Sequence, residues 1–324
     1  MPEIDPVDYG ALSPELILDA IESCGIRVES GLLALNSYEN RVYQFHDESQ
    51  RYVVKFYRPQ RWSDAQILEE HQLSWQATDA ELPVAAPLVL NGKTLQQYQG
   101  YRFAIWNSLG GRSFEVDNLD QLEWAGRYLG RFHLICEQQP FIERPAIDCA
   151  SYLHGPRAYL EQQQLVPKEL QQAFFAALDP VIERAEQQFG EFRAIRLHGD
   201  CHPGNILWRD GPLFVDLDDC RMGPAIQDLW MLLSGDDRER RLQLDVILEE
   251  YEMFREFDRR ELALIEPLRA LRMVHYMGWL ARRWSDPAFP VAFPWFGSMH
   301  YWEGQILALK EQLSDLQESC WSSN

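Results

Sequence analysis

Asp200, Asn205 and Asp216 are the residues whose types and spacing amount to a chemical device. They lie in residues 197–219, which read L-H-G-D-C-H-P-G-N-I-L-W-R-D-G-P-L-F-V-D-L-D-D. Phosphoryl transfer passes through a loose, highly charged transition state, so a divalent cation has to bridge the phosphates. Mg2+ takes hard oxygen ligands, commonly one or two carboxylates with waters completing the shell. Asn205, in a loop, and Asp216, at the end of an apolar strand, offer such oxygens. Asp200 is a separate carboxylate, placed to face the hydroxyl that attacks. Residues 206–208 and 213–217 flank Arg209-Asp210-Gly211-Pro212, and the hairpin this turn predicts would bring positions 205 and 216 together.

The elements around this segment divide into two kinds. Ser13, Pro14 and Gly25 mark the start and end of a first helix. Strand-like runs follow at 32–35, 42–45 and 52–57, the last two forming a hairpin through 46–50. Ser63-Asp64 opens a helix to about Thr78, Pro83 and Pro87 bracket an extended passage, and Asn91-Gly92 turns between further strands ending with 101–106. From there the pattern is mostly helical: 119–137, 150–163, 167–189, 226–234, 238–256, 259–284 and 301–317. The expectation is an α+β chain with two lobes. Residues 1–106 form a small lobe with an antiparallel sheet, and residues 107–324 form a larger, mostly helical lobe; the kinase-fold resemblance given below implies that the first binds ATP and the second carries the catalytic residues.

Composition narrows the function. Lys and Arg total 30 against 50 Asp and Glu in 324 residues, a formal charge of −20. Such a chain repels phosphate backbones and anionic lipid, so neither nucleic acid nor a membrane surface is an expected partner. No apolar run of membrane-spanning length occurs, and the acidic N-terminus has no signal-peptide core, so a cytoplasmic location is expected. The six cysteines show no C-x-x-C pair and are expected as free thiols. His198 and His202 lack the paired spacing of a zinc site with Cys201 and Cys220. Nothing signals an obligate interface, and a monomer is expected.

The string H-G-D-x-H-x-x-N, followed by an apolar strand ending in Asp, resembles the catalytic and metal loops of kinase-fold phosphotransferases of the aminoglycoside phosphotransferase and choline kinase group. Protein kinases carry H-R-D-x-x-x-x-N and D-F-G in these places. Gly199 in place of Arg, and Leu217-Asp218 in place of Phe-Gly, set this chain with the former group. The strings L-N-S-Y-E-N-R-V-Y-Q-F, V-V-K-F-Y-R-P, I-L-E-E-H and D-P-A-F-P are similar to one branch, the bacterial stress response kinase A family. That resemblance implies a protein-kinase-like fold and a cytoplasmic, Mg2+- and ATP-dependent kinase of protein Ser or Thr residues, tied to envelope and oxidative stress.

It also implies roles. Lys55, on the Y-V-V-K-F-Y strand, contacts the ATP phosphates. Glu70 pairs with Lys55, with Glu69 a rival one residue away. Ser37, in the turn Asn36-Ser37-Tyr38-Glu39-Asn40, contacts ATP, although no Gly occurs between Gly31 and Gly92 and the loop is therefore not Gly-rich. Asn205 and Asp216 hold the metal, Asp200 and Asp216 are catalytic, and Asp228 braces the catalytic loop. Asp218 is placed to reach a second metal, and Asp219 to be solvated. From its place at the lobe connector, Trp106 is read first as a core-packing residue, with stacking near adenine as the alternative. Arg272, Arg282 and Arg283 are either surface charges or grips for an acidic peptide. Motifs at the phosphate site do not separate a protein kinase from a small-molecule kinase acting on an alcohol. A non-catalytic ATP-binding scaffold is disfavoured because the Lys, the base and the metal Asp are all present.

Overall fold

The computed structural model describes residues 8–318 and residue 321; Cys320 lies outside them. A five-stranded antiparallel sheet dominates the N-terminal part, in the order β1 (Leu33–Ala34), β2 (Arg41–His46), β3 (Arg51–Phe56), β5 (Tyr101–Asn107), β4 (Gln96–Tyr98). Alternation along β3 decides which face each residue serves. Tyr52, Val54 and Phe56 turn to one side and bury against α1 (Pro14–Glu22), where Ile17, Ala20 and Ile21 complete a small core. The opposite face carries Val53 and Lys55. Lys55 lies across from Val42 on β2 and Ala104 on β5.

The helix α2 (Asp64–Asp79) starts on a capping box between Ser63 and Gln66. Its first half packs Ile67 against Tyr57 and Ala104 beneath the sheet. Its second half contributes Leu73 and Ala77 to the core of the larger lobe, joined by Leu82 and Val84. The two lobes thus share α2, and Glu70 sits where it crosses from one to the other. His71, 2% exposed, fastens the helix sideways. Its ring nitrogens lie 2.8 Å from the Tyr57 hydroxyl and 2.8 Å from Thr94 Oγ1.

The larger lobe is mostly helical. Short β6 (Arg112–Ser113) precedes α3 (Leu119–Cys136), α4 (Gly155–Gln162) and α5 (Lys168–Gln188). Next come β7 (Ile195–Leu197), the hairpin of β8 (Ile206–Trp208) and β9 (Pro212–Phe214), and β10 (Arg221–Gly223), which returns to pair with β7. Then follow α6 (Gln227–Trp230), α7 (Asp237–Tyr251), α8 (Ile265–Arg283), α9 (Ala288–Ala292) and α10 (Met299–Gln317). Among the described residues no helix is long and apolar enough to cross a membrane.

Prolines account for two departures from the expected helices. Residues 150–154 form a π-helical turn, with the Gly155 N–H reaching Ala150 O. Pro156 lacks an N–H, and its ring crowds the carbonyl four residues earlier, so the α pattern begins only there. Residues 259–264 form a 3-10 turn, and α8 starts at Ile265, which leaves Pro267 in the first helical turn, where it is tolerated. The expected helix over 226–234 shrinks to α6 (Gln227–Trp230); further on, Gly235 takes a left-handed conformation (φ 84°) and Asp236 caps the next helix.

His71 makes the attachment of α2 pH-sensitive. Burial, with the nearby Lys55 and Arg144 charges, pulls its pKa down to about 3, against about 6.5 in an unfolded chain. The folded state therefore binds fewer protons between these values, and stability falls as pH falls below about 6.5. Urea-unfolding midpoints measured from pH 7 to pH 5 should decline, by up to about 1.4 kcal/mol per pH unit from this residue. His71→Gln should flatten that slope; an unchanged slope would show that His71 is already protonated in the fold.

Candidate active site

Lys55 is 6% exposed and carries its ammonium into a nest of carboxylates. Nζ lies 2.9 Å from Glu70 Oε1, 3.4 Å from Asp218 Oδ1 and 3.5 Å from Asp216 Oδ1. Burial alone would depress the Lys55 pKa; Glu70 first, then the Tyr57 ring oxygen and the two aspartates, outweigh it and hold the ammonium charged. Glu69 turns the other way and accepts the backbone N–H groups of Ile142, Glu143 and Arg144. The Lys55 partner is therefore Glu70.

Arg144, 4% exposed, had no signal in the sequence, because it comes from an irregular segment without periodicity. Its Nη2 donates to Glu70 Oε2 at 3.0 Å, Nε to Gln66 O at 2.7 Å, and Nη1 to the carbonyls of Asp218 and Cys220. One guanidinium thus ties α2 to the segment after β9. Arg61 was missed for the same reason. It binds Asp218 Oδ2 and reaches Asp219 Oδ1 at 2.7 Å.

These contacts revise two expectations. Both Asp218 oxygens face cations, Lys55 on one side and Arg61 on the other, so Asp218 is not available to a second metal. Asp219 is not simply solvated but shared between Arg61 and Arg221, the latter at 2.8 Å. Asp216 differs from both. Its side chain is 48% exposed to the cleft, against 5% for Asp218. Its backbone is left-handed (φ 60°, ψ 67°), an outlier for a residue with a Cβ and the kind of strain that collects at working sites. The walls of the cleft raise its pKa, Lys55 opposing and Asp218 and Asp219 adding to the rise. A cation beside it would reverse that.

The catalytic-type loop is shaped from below. Asp228, fully buried on α6, accepts the N–H groups of His198 at 2.7 Å and Gly199 at 2.9 Å, and meets His133 Nε2 from α3 at 3.0 Å. Gly199 itself is left-handed (φ 85°), and a Cβ there would stand 2.2 Å from the Asp219 carbonyl. Only glycine fits, which explains why no Arg precedes Asp200. His198 Nε2 lies 2.9 Å from Val215 O, linking the loop to the strand before Asp216.

Asp200 projects beyond this brace. Arg272 of α8 donates to Oδ1 at 2.5 Å, and His202 Nε2 lies 3.4 Å from Oδ2. His202 Nδ1 accepts the Gly204 N–H, so Nε2 carries the proton and points it at Asp200. Burial favours the neutral acid, but the His202 and Arg272 contacts outweigh it and hold the carboxyl well below the usual range. Arg272 is thus an ion-pair partner of Asp200, and Arg283 pairs with Glu39. Arg282 lies over the Tyr159 ring.

Asn205 donates from Nδ2 to Asp200 O at 3.0 Å, and its own carbonyl takes the Val215 N–H. The amide oxygen is left as the atom it can present to a cation. Asn205 and Asp216 line one cavity of about 530 Å3 together with Ser37, Lys55, Glu70 and Trp106. A hard-oxygen pair at its floor, beside a fixed ammonium, fits a divalent cation carrying phosphates. Cys201 and Cys220 flank this region fully buried, and burial pushes the Cys220 thiol up to about 12, so neither resembles a reactive thiolate.

The chain resembles known proteins in sequence and in fold. Residues 32–265 match the model of the Phosphotransferase enzyme family. Stress response kinase A of Escherichia coli (strain K12) is 56% identical over 96% of this chain and 95% of its own. Serine/threonine protein kinase RdoA of Salmonella typhimurium (strain LT2) is 55% identical over the same shares. Among solved structures, a microcompartment-associated aminopropanol kinase superposes with a TM-score of 0.72 at 17% identity, covering 94% of this chain and 98% of its own. The amicoumacin kinase hAmiN in complex with AMP-PNP, Ca2+ and Ami gives 0.68 at 19% identity, covering 90% and 89%. A lysine locked to α2, a loop braced from α6 and an exposed acid just past β9 stand on a chain whose family model, relatives and fold all point one way, and the chain belongs to the Phosphotransferase enzyme family, in its stress response kinase A branch.

Proposed function

We propose that this phosphotransferase moves the γ-phosphoryl group of ATP to a Ser or Thr hydroxyl of a protein, in the service of stress survival. The observation that carries the reading is the convergence of Lys55, Asn205 and Asp216 on one cavity, with Asp200 held on the same loop as Asn205. The identity with stress response kinases over nearly the whole chain supports a protein acceptor.

In this reading each residue of the cavity has a part. Lys55 faces the α- and β-phosphates, its position fixed by Glu70. Ser37 and its loop cover the β- and γ-phosphates, and Trp106 borders the space for adenine. Asn205 and Asp216 would hold Mg2+, which when bound would neutralise charge on the phosphates. Asp200, kept ionised by Arg272 and His202, is a weak base. It orients the acceptor hydroxyl and takes its proton late, as suits a loose transition state in which the nucleophile is barely bonded. Positioning and charge stabilisation supply most of the rate. The small lobe over 1–106 thus brings the nucleotide contacts, and the large lobe over 107–324 brings the metal and the base.

Asp200→Asn keeps the shape of the side chain and removes its charge. It should leave Mg2+-ATP affinity near wild type and lower turnover by about 10²–10⁴-fold, the usual contribution of a positioned acid–base group. Near-normal turnover would remove Asp200 from the mechanism.

Asp216→Ala should abolish the Mg2+ dependence of ATP binding, measured calorimetrically with and without EDTA. Binding that still responds to Mg2+ would place the metal elsewhere. Labelled ATP offered with a generic protein and with a panel of small alcohols separates the acceptor classes. Label found only on a small alcohol would overturn the protein-kinase reading and leave the nucleotide site standing.

A further inference from the structure

Glu39 has no role in the mechanism above, yet the structure surrounds it on every side. It lies in the 35–40 loop between β1 and β2, two residues from Ser37, and its side chain is only 12% exposed. Trp279 Nε1 donates to Oε2 at 2.5 Å, and Arg283 Nη2 to Oε1 at 2.8 Å. Arg58 Nε stands 2.9 Å from Oε1, and Arg61 Nε 3.7 Å. Trp279 and Arg283 belong to α8, so a small-lobe loop is bonded directly to a large-lobe helix.

Neighbouring contacts run in the same direction. Asp286, just past α8, takes Arg41 of β2 at 3.0 Å and Arg58 at 2.9 Å. The Tyr38 ring packs on Phe293 with centroids 4.7 Å apart. Within the small lobe, Asn40 Oδ1 accepts the Arg58 N–H at 3.0 Å. The loop residues Tyr38 and Glu39, and β2 just beyond them, are held from outside the sheet.

The chemistry of the loop makes this significant. A glycine-rich loop can approach phosphates because its backbone is permissive. This loop has no glycine, so its shape has to come from ties. Fixing it to α8 also sets the cover over the phosphates against the lobe that carries Asn205 and Asp216. Ordering paid for in advance is affinity gained when the nucleotide arrives.

We propose that Glu39 is a positioning residue for ATP: its carboxylate fastens the 35–40 loop to α8 and so holds Ser37 over the phosphates. The inference rests on the ATP-dependent reading above and adds a residue to it. Its effect falls on nucleotide affinity and not on the transfer step, because Glu39 touches neither Asp200 nor Asp216.

The test compares full-length wild type, Glu39→Gln, Arg283→Gln and the double variant, by Mg2+-ATP titration and by steady-state kinetics, with thermal midpoints as a check of folding. Glu39→Gln should raise both Kd and KM for ATP by about tenfold, with kcat within about twofold of wild type. Arg283→Gln should shift in the same direction, and the double variant should be no worse than Glu39→Gln alone, since both remove one contact. An unchanged KM for ATP in folded Glu39→Gln overturns the proposal, as does a fall in kcat with KM unmoved. If Glu39→Gln does not fold, Trp279→Phe removes the Nε1 donor and keeps the ring, and an unchanged Kd there overturns it equally. Wild type that binds no Mg2+-ATP would instead sink the phosphotransferase reading, a result distinguishable from variants that bind as well as wild type.

Discussion

The structure depends on keeping one ammonium charged where water scarcely reaches it. Lys55 is 6% exposed, and taking an ion out of water costs several kcal/mol even after relaxation. That cost is met only because Glu70, Asp216 and Asp218 converge on Nζ within 3.5 Å. Each brings its own burial problem, and the solutions propagate. Glu70 needs a second cation and finds Arg144; Asp218 needs one and finds Arg61. Arg144, bonded to α2 and to the carbonyls of Asp218 and Cys220, and Arg61, just before α2 and bonded to Asp218 and Asp219, then join α2 to the segment after β9, so a local demand for neutralisation becomes the connection between the lobes. Breaking one member of such a buried set costs about 3–5 kcal/mol, because the remaining partner is left uncompensated. Only Asp216 is left half open, and it is the one acid of the group free to accept a new cation.

The choice of cation within this network has a reason. Lys55 stands alone as an ammonium; Arg58, Arg61, Arg144, Arg221, Arg272 and Arg283 supply the rest. An ammonium is a compact point charge, suited to touching phosphates and three carboxylates from one strand position. A guanidinium is a planar fork that bridges separate acceptors. Arg61 joins Asp218 to Asp219, Arg58 joins Glu39 to Asp286, and Arg144 joins a carboxylate to two carbonyls. In a chain with a formal charge of −20, cations gather where the acids of the site need them. The acidity of the whole chain therefore says little about the local charge beside Asp200, where Arg272 is 42% exposed.

What the sequence made legible was whatever has a local cause. The Ser13 and Ser63 caps, the 46–50 hairpin and the 209–212 turn are set by residues a few positions apart, and all form where expected. The 205–216 juxtaposition was also accessible, since one hairpin spans it. The pairings of β6 with β8 and of β7 with β10 were not, because strands of two or three residues carry no alternation. Arg61, Arg144 and Glu39 stayed invisible for a deeper reason. Their partners lie on other elements, Arg144 with Glu70 and Glu39 with Arg283 over two hundred residues on, and no spacing rule reaches that far. Glu69 and Glu70 show the limit at its sharpest. Adjacent on α2, they point about 100° apart, and only the tertiary placement of the helix decides which one meets Lys55.

The same logic separates two parts of the proposed site. The parts proposed to hold phosphate and metal are braced from inside: Asp228 beneath the loop, Gly199 against the Asp219 carbonyl, Arg144 behind Glu70. Each brace is a buried polar group with its partners satisfied, which resists change because a half-satisfied set costs more than an apolar one. Asp200 is held differently. Its partners Arg272 and His202 are exposed to 42% and 36%, and Arg272 comes from α8, outside the loop. Helix α8 serves both places at once: Arg272 reaches Asp200, while Trp279 and Arg283 reach Glu39 in the loop that carries Ser37, so a change in this helix is felt at the exposed acid and at the loop together.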